Sequence, residues 1–233
     1  MKSINDYIFN ANNEFICSKN NIIAFTTRKK INFTSEEVLD QVCLDKKINI
    51  ANIAQCEQIH SNNVQLIKTP DLYKGTDGLV TSIDNNIVLL IKTADCLPIF
   101  LFDEKTGLIG LIHSGWKGTY KKIVLNAIDI FLAHGSIVKD IKAYLGPSIK
   151  RCCYEVQNDV SQYFNNNIIS HIGEKQYLDL DTKVIHDMVK AGIKKNNIFE
   201  STICTFEHTE CCSYRKYNKN AGRMYSLLGV KRI

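Results

Sequence analysis

Apolar residues recur along this chain at two different spacings. Short alternating or continuous apolar runs at residues 22–27, 64–68, 78–81, 87–92, 98–102 and 108–113 are broken by Gly, Asp and Asn, which is the pattern of strands. Ile123, Val124, Ala127, Ile128, Phe131 and Leu132 fall instead at helical spacing. They predict a helix over residues 119–134, with Thr119 as N-cap and Gly135 just past its end. Residues 35–42 read as a helix capped by Ser35, and residues 156–164 and 182–191 as two more, the last stopped by Gly192. Further strands are expected at residues 141–145, ended by Gly146-Pro147, and at 198–205 and 223–229. Strands crowd the middle and helices flank them without strict βαβ alternation, so the reading is an α+β layered domain rather than a doubly wound parallel sheet.

Composition narrows the classes. The 233 residues are 45% hydrophobic with 12 Gly and 3 Pro, and they show no repeat, linker or low-complexity tract beyond short Asn clusters. One domain over residues 1–233 is expected, long enough to bury roughly 70% of its unfolded surface, so the core needs neither disulfide nor metal. The 29 basic and 24 acidic residues leave a net charge of +5, scattered rather than gathered into a run. That suits solubility and a mild attraction for anions, not a nucleic-acid surface; only the YRKY stretch from Tyr214 approaches a basic stripe with aromatics. Nine cysteines is an odd number, and the first thirty residues lack a charged start followed by an apolar run. A reducing cytoplasm is therefore expected. The longest apolar run, at residues 97–102, is far below the ~20 residues of a membrane span.

Chemistry-bearing residues interrupt the strands at three places. In Thr93-Ala94-Asp95-Cys96-Leu97 the apolar pattern pauses for Asp95 and Cys96. Taken alone, Cys96 reads more readily as a small buried hydrophobe between two strands than as a functional thiol. His113-Ser114-Gly115-Trp116-Lys117-Gly118-Thr119 leads from a strand into the predicted helix. Its glycines and helix N-terminus suit an anion, with Lys117 adding charge; the plain alternative is a connecting loop with Trp116 as packing anchor. His60 precedes another strand. Two imidazoles and a thiolate, from His60, Cys96 and His113, are a set that zinc accepts with a fourth position left for water, although their spacing is no local metal motif. Arg28, Arg215 and Arg223 are candidate anion forks. The vicinal pairs Cys152-Cys153 and Cys211-Cys212 are expected to be packing thiols, and His134, His171, His186 and His208 to be solvated.

With these residues assembled, the chain resembles the polyphenol-oxidase-like laccase-domain (YfiH-type) family, now associated with purine nucleoside phosphorylase and adenosine deaminase activity. The marks are TTR at Thr26, QIHSNNV at Gln58, GTDGLVT at Gly75, TADCLPIF at Thr93, HSGWKGT at His113, GPSIKRCCYEV at Gly146 and the stretch from CTFEHTECC at Cys204 to Val230. The resemblance implies a monomeric four-layer α/β/β/α fold, with His60, Cys96 and His113 at the family's zinc-site positions. Three departures stand out. Lys29-Lys30-Ile31-Asn32 replaces a glycine-rich stretch, HSGWKG stands for HAGWRG, and SYRK stands for SYRR. The last two exchange a guanidinium fork for an ammonium point charge.

The activity implied by the resemblance is zinc-dependent phosphorolysis of inosine, guanosine, adenosine or methylthioadenosine, with deamination of adenosine as an additional reaction. Phosphate held by Arg28, Lys117, Arg215 and Arg223 would attack the anomeric carbon. Cys96, His60, His113 and Asp95 would be catalytic, with Asp95 orienting a neighbour or carrying a proton. Three alternatives stay open: a Cys96/His113 thiol hydrolase acting on peptidoglycan precursors, a polyphenol (copper) oxidase, and a nucleotide- or zinc-sensing binding module. Copper is disfavoured by the count of six histidines, since multicopper sites are built largely from imidazoles.

Overall fold

Strands with apolar residues on both faces can be buried only between two layers, and this chain builds two such sheets. The computed structural model describes residues 8–10, 22–29 and 34–230. Numbered along the chain, the first sheet runs in the order β1 (Ile8–Asn10), β2 (Ile22–Thr27), β15 (Met224–Val230), β7 (Val88–Thr93), β3 (Ile53–Cys56) and β5 (Leu72–Tyr73). The second runs β14 (Ile198–Glu200), β10 (Lys142–Leu145), β8 (Leu97–Asp103), β9 (Leu108–Ser114), β6 (Gly78–Ser82) and β4 (Val64–Leu66). A small third sheet joins β11 (Glu155–Val156), β13 (Lys175–Leu178) and β12 (Ile169–Ile172).

Period two decides which face each residue takes. On β7, Leu89 and Ile91 enter the core between the sheets, together with Phe100, Phe102, Ile109 and Leu111 of the other sheet. Val88 and Leu90 face the opposite way, onto Val38 and Val42 of helix α1 (Ser35–Lys46). On β8, Ile99 and Leu101 turn to the outer core, where α3 (Ile123–Ala133) and α5 (Leu180–Ala191) cover the second sheet. The layers are thus helix, sheet, sheet, helices, the α/β/β/α arrangement expected. Among the described residues no helix is long and apolar enough to cross a membrane.

The structure corrects several boundaries. The helix expected over residues 119–134 is two helices, α2 (Trp116–Tyr120) and α3, because Lys122 takes a left-handed conformation (φ 59°) between them. Thr119 is therefore not an N-cap; it is buried inside α2, its hydroxyl 2.8 Å from that of Ser114. Helix α1 is capped by Thr34 rather than Ser35, through a capping box with Glu37. Ser35 instead accepts a hydrogen bond from the Arg223 backbone N–H (2.7 Å). The helix expected at 156–164 shrinks to α4 (Asn158–Ser161), since Val156 is drawn into β11. The strand at 198–205 ends at Glu200, and the one at 223–229 is Met224–Val230. Residues 30–32 of the departing segment lie outside the described residues.

Phe131 of α3 is fully buried and fills the space over Gly110 of β9, where an added Cβ would lie 3.1 Å from its ring. Phe131→Ala is expected to cost about 3–5 kcal/mol of unfolding free energy in urea titrations. Leu132→Ala, one position on and 42% exposed, should change it by less than about 1 kcal/mol.

Candidate active site and metal centre

Strand register assembles the site. Strands β8 and β9 form an antiparallel hairpin in which Leu97 pairs with Ser114 and Pro98 with His113. Cys96, just before β8, and His113, near the end of β9, therefore meet at the same end of the hairpin. Next to β9, Gly78 of β6 pairs with Ile112, which sets Asp77 beside His113; the His113 N–H donates to the Asp77 carbonyl (2.7 Å). Strand β4 pairs with β6 in parallel, Val64 opposite Gly78, and its approach loop carries His60. Gln58 fixes that loop by bonding the Lys92 backbone twice, donating to its carbonyl and accepting from its N–H (2.7 Å each).

The donor atoms of His60, Cys96 and His113 all lie within 4.8 Å of one another. The Cys96 sulfur is 3.9 Å from His60 Nε2, and the two imidazole rings meet edge to face with centroids 4.9 Å apart. A tetrahedral zinc with bonds of about 2.0–2.3 Å needs ligand atoms roughly 3.6 Å apart, so this set fits such an ion with little adjustment. Gly115 makes the approach possible, for a Cβ there would sit 3.0 Å from the His60 ring and 3.1 Å from the Cys96 sulfur.

Asp77 is the residue that the sequence reading passed over, although it stands inside the GTDGLVT stretch. Its side chain is fully buried, and one oxygen accepts from His113 Nδ1 (2.8 Å) and the His60 backbone N–H (3.0 Å). The other accepts from the Ser61 backbone N–H (2.6 Å) and hydroxyl (2.7 Å). The bond to Nδ1 leaves Nε2 of His113 free to face the thiol, the arrangement by which carboxylates orient metal-binding imidazoles. Burial opposes ionisation of Asp77, but the His113 and Ser61 hydrogen bonds outweigh it and bring the carboxyl down to about 2. Burial likewise opposes the thiolate of Cys96, yet the charge and hydrogen bond of His113, helped by His60, lower it to about 6. His113 rises to about 9 against its own desolvation, held by the Cys96 charge and the Asp77 hydrogen bond.

Asp95 sits next to Cys96 in a left-handed turn (φ 83°). Its carboxylate accepts from Thr205 Oγ1 (2.6 Å), Ser213 Oγ (3.1 Å) and the Arg215 backbone N–H (2.7 Å). These bonds pin the Cys96 turn to the segment that carries Arg215. A cavity of about 490 Å³ opens over the three donors, lined further by Glu57, Lys92, Ile149, Tyr154, Tyr214, Arg215 and Arg223. This is the volume of a small-ligand site. Arg215 and Arg223 are thus in the wall. Arg28 is not; it pairs with Glu210 and lines a neighbouring pocket that shares Arg223. Lys117 is exposed, its ammonium 5.6 Å from the Trp116 ring. Trp116 stacks on Tyr163 at 5.7 Å, the packing role foreseen as the plain alternative. Cys211 and Cys212 are buried with Met224, as packing thiols are. Cys152 and Cys153 are not: they gather with Cys204 and Glu207.

Comparison with known proteins places the site in context. The family described as multi-copper polyphenol oxidoreductase laccase matches residues 34–231. A purine nucleoside phosphorylase of Clostridium acetobutylicum is 32% identical, covering 98% of this chain and 98% of that one. The adenosine deaminase RL5, from an unknown prokaryotic organism, is 35% identical over 66% of this chain and 62% of its own. The crystal structure of the hypothetical protein YfiH of Bacillus licheniformis superimposes with a TM-score of 0.81 at 27% identity, over 90% of this chain and 93% of that one. YlmD of Geobacillus stearothermophilus, at 23% identity and a TM-score of 0.82 over 91% and 93%, shares the fold.

Asp77→Asn, which keeps the volume but turns one of the two acceptor oxygens into a donor, so that either His113 Nδ1 or Ser61 loses its acceptor, is expected to weaken zinc binding about 10–100-fold. Competition against a chromophoric chelator measures this. A variant with unchanged affinity would show that the carboxylate does not orient His113.

Proposed function

The chain belongs to the family described as multi-copper polyphenol oxidoreductase laccase, and from that premise we propose that it is a zinc-dependent purine nucleoside phosphorylase. Its substrates in this reading are inosine, guanosine, adenosine and methylthioadenosine, with deamination of adenosine as a second reaction. The observation that carries the reading is one cavity in which a His-Cys-His donor set lies under a wall containing two arginines and two tyrosines. The phosphorylase and deaminase names of the relatives supply the reaction classes.

His60, Cys96 and His113 would hold the zinc, which when bound supplies Lewis acidity and a fourth coordination position to the cavity. Arg215 and Arg223 offer guanidinium donors to phosphate as it attacks the anomeric carbon, and Lys92 adds charge to the same wall. Arg215 is already braced: it donates to the Glu155 carbonyl (2.6 Å), and its guanidinium lies 5.4 Å from the centre of the Tyr154 ring. Tyr154, Tyr214 and Ile149 give the purine an apolar, aromatic wall to pack on. Asp77 and Asp95 act as positioning residues, the first through the imidazole and the His60 loop, the second through the turn of Cys96. The ligand chemistry favours zinc over the copper of the family description, because a multicopper centre needs more imidazoles than the two that line this cavity. The unit is taken as residues 1–233, a single domain acting as a monomer in the cytoplasm on small nucleosides and phosphate.

A Cys-His thiol hydrolase is the second reading, favoured by the pairing of a lowered Cys96 thiol with a raised His113 imidazole. The two differ in their need for metal.

Incubation of the zinc-loaded protein with each nucleoside, with and without phosphate, is expected to yield free base and pentose 1-phosphate only when phosphate is present. Cys96→Ala should lower kcat/KM at least about 100-fold, and Arg215→Ala should act mainly on the phosphate KM. Conversion of adenosine to inosine at an unchanged rate without phosphate would assign deamination as the principal reaction. Full turnover after metal removal would overturn the zinc requirement.

A further inference from the structure

Cys152, Cys153, Cys204 and Glu207 form a second group whose possible ligand atoms all lie within 4.8 Å of one another. Two loops bring them together. Ser148 and Cys204 form an isolated parallel bridge, and the Thr205 N–H donates to the Ser148 carbonyl (3.0 Å), so the segments at 148–154 and 201–208 run side by side. A turn closed by the Cys153 and Tyr154 N–H groups on the Lys150 carbonyl (2.9 Å each) directs the adjacent cysteines toward this seam. The two vicinal sulfurs are 3.3 Å apart, too far for a disulfide bond of about 2.05 Å and close to the roughly 3.8 Å edge of a tetrahedral zinc-thiolate site. Glu207 Oε2 is 3.8 Å from the Cys152 sulfur, near the roughly 3.6 Å expected between a thiolate and a carboxylate oxygen on one zinc. The Lys150 backbone N–H points at the Cys204 sulfur (3.5 Å), a donor of the kind that supports a thiolate ligand.

We propose that Cys152, Cys153, Cys204 and Glu207 form a second, structural metal site that takes Zn²⁺. Three thiolates and one carboxylate make a closed four-ligand set, which is the mark of a structural rather than a catalytic zinc. The carboxylate favours zinc over cuprous ion, which prefers soft sulfur alone. Binding releases the thiol protons to solvent and forms three Zn–S bonds and one Zn–O bond, with no change of oxidation state. The ion would staple two loops that build the cavity wall: the first contributes Ile149 and Tyr154, the second Thr205, whose hydroxyl holds Asp95 beside Cys96. The inference rests on these four side chains and is independent of the reaction in the cavity.

Metal content separates the sites. Protein prepared under reductant and equilibrated with Zn²⁺ should hold two ions per chain by mass spectrometry of the elements, and a His60→Ala/Cys96→Ala variant should still hold one. Adding Cys153→Ser to that variant should remove it, and adding Glu207→Gln should speed its release to a chelator. Retention of the ion after Cys153→Ser, or its absence from a His60→Ala/Cys96→Ala protein shown to be folded by circular dichroism, overturns the proposal. Should a variant fail to fold, Co²⁺ substitution of the unaltered protein gives the answer. Sulfur-to-cobalt charge-transfer absorption expected of four thiolates per chain at two equivalents supports the site, and absorption from one thiolate only overturns it. A Cys152–Cys153 disulfide in the reduced preparation also overturns it.

Discussion

A carboxylate with no access to water must have its charge met by donors, and Asp77 meets this requirement with four of them. The donors come from two parts of the site's framework: the His113 ring on β9, and the backbone and hydroxyl of His60-Ser61 in the loop entering β4. Losing any one would leave a buried lone pair unsatisfied, at a cost of about 1–3 kcal/mol. The geometry of two histidines is therefore enforced by the folding stability of the second sheet. The same logic operates at Asp95, whose three partners lie more than a hundred positions away in the sequence. One carboxylate orients the imidazoles and the other sets the thiol, and the cavity lies between them.

The packing explains why such charged groups are tolerated. Both sheets bury both faces, so the strands around the site are held by apolar contacts on two sides, each fully buried large side chain contributing about 1.5–3 kcal/mol. The polar residues of the site gather where β8 begins and β9 ends, at the margin of this apolar packing.

Much of this was legible in the sequence, for identifiable reasons. Alternating and continuous apolar runs predicted the central strands because buried faces demand them, but spacing alone did not unite Cys96 with His113; the antiparallel pairing of β8 with β9 does. Asp77 was missed because an Asp between Thr and Gly looks like an ordinary turn residue; only pairing of β6 with β9 reveals its neighbour. The break at Lys122 has no signal in helix periodicity, since Ile123 to Leu132 keep the same apolar stripe on either reading. Helix 156–164 failed because a nearby hairpin recruits Val156 into a sheet, a tertiary effect that local spacing cannot register. The cluster of Cys152, Cys153 and Cys204 was hidden for the same reason: its halves lie far apart in the sequence, and tertiary contacts such as the bridge between Ser148 and Cys204 join them.

Strand β15 lies in the interior of its sheet, between β2 and β7, with antiparallel pairing on both sides. During translation β2 and β7 emerge from the ribosome long before the ribbon that must be inserted between them. Until residues 224–230 arrive, each presents an unpaired, apolar edge of the kind that invites wrong partners. The nascent polypeptide must therefore wait with that gap open, and closure by a distant segment makes for a slow, late folding step. Arg215 and Arg223 reach the cavity with the same segment, so the pocket acquires its guanidinium groups only as the sheet is sealed.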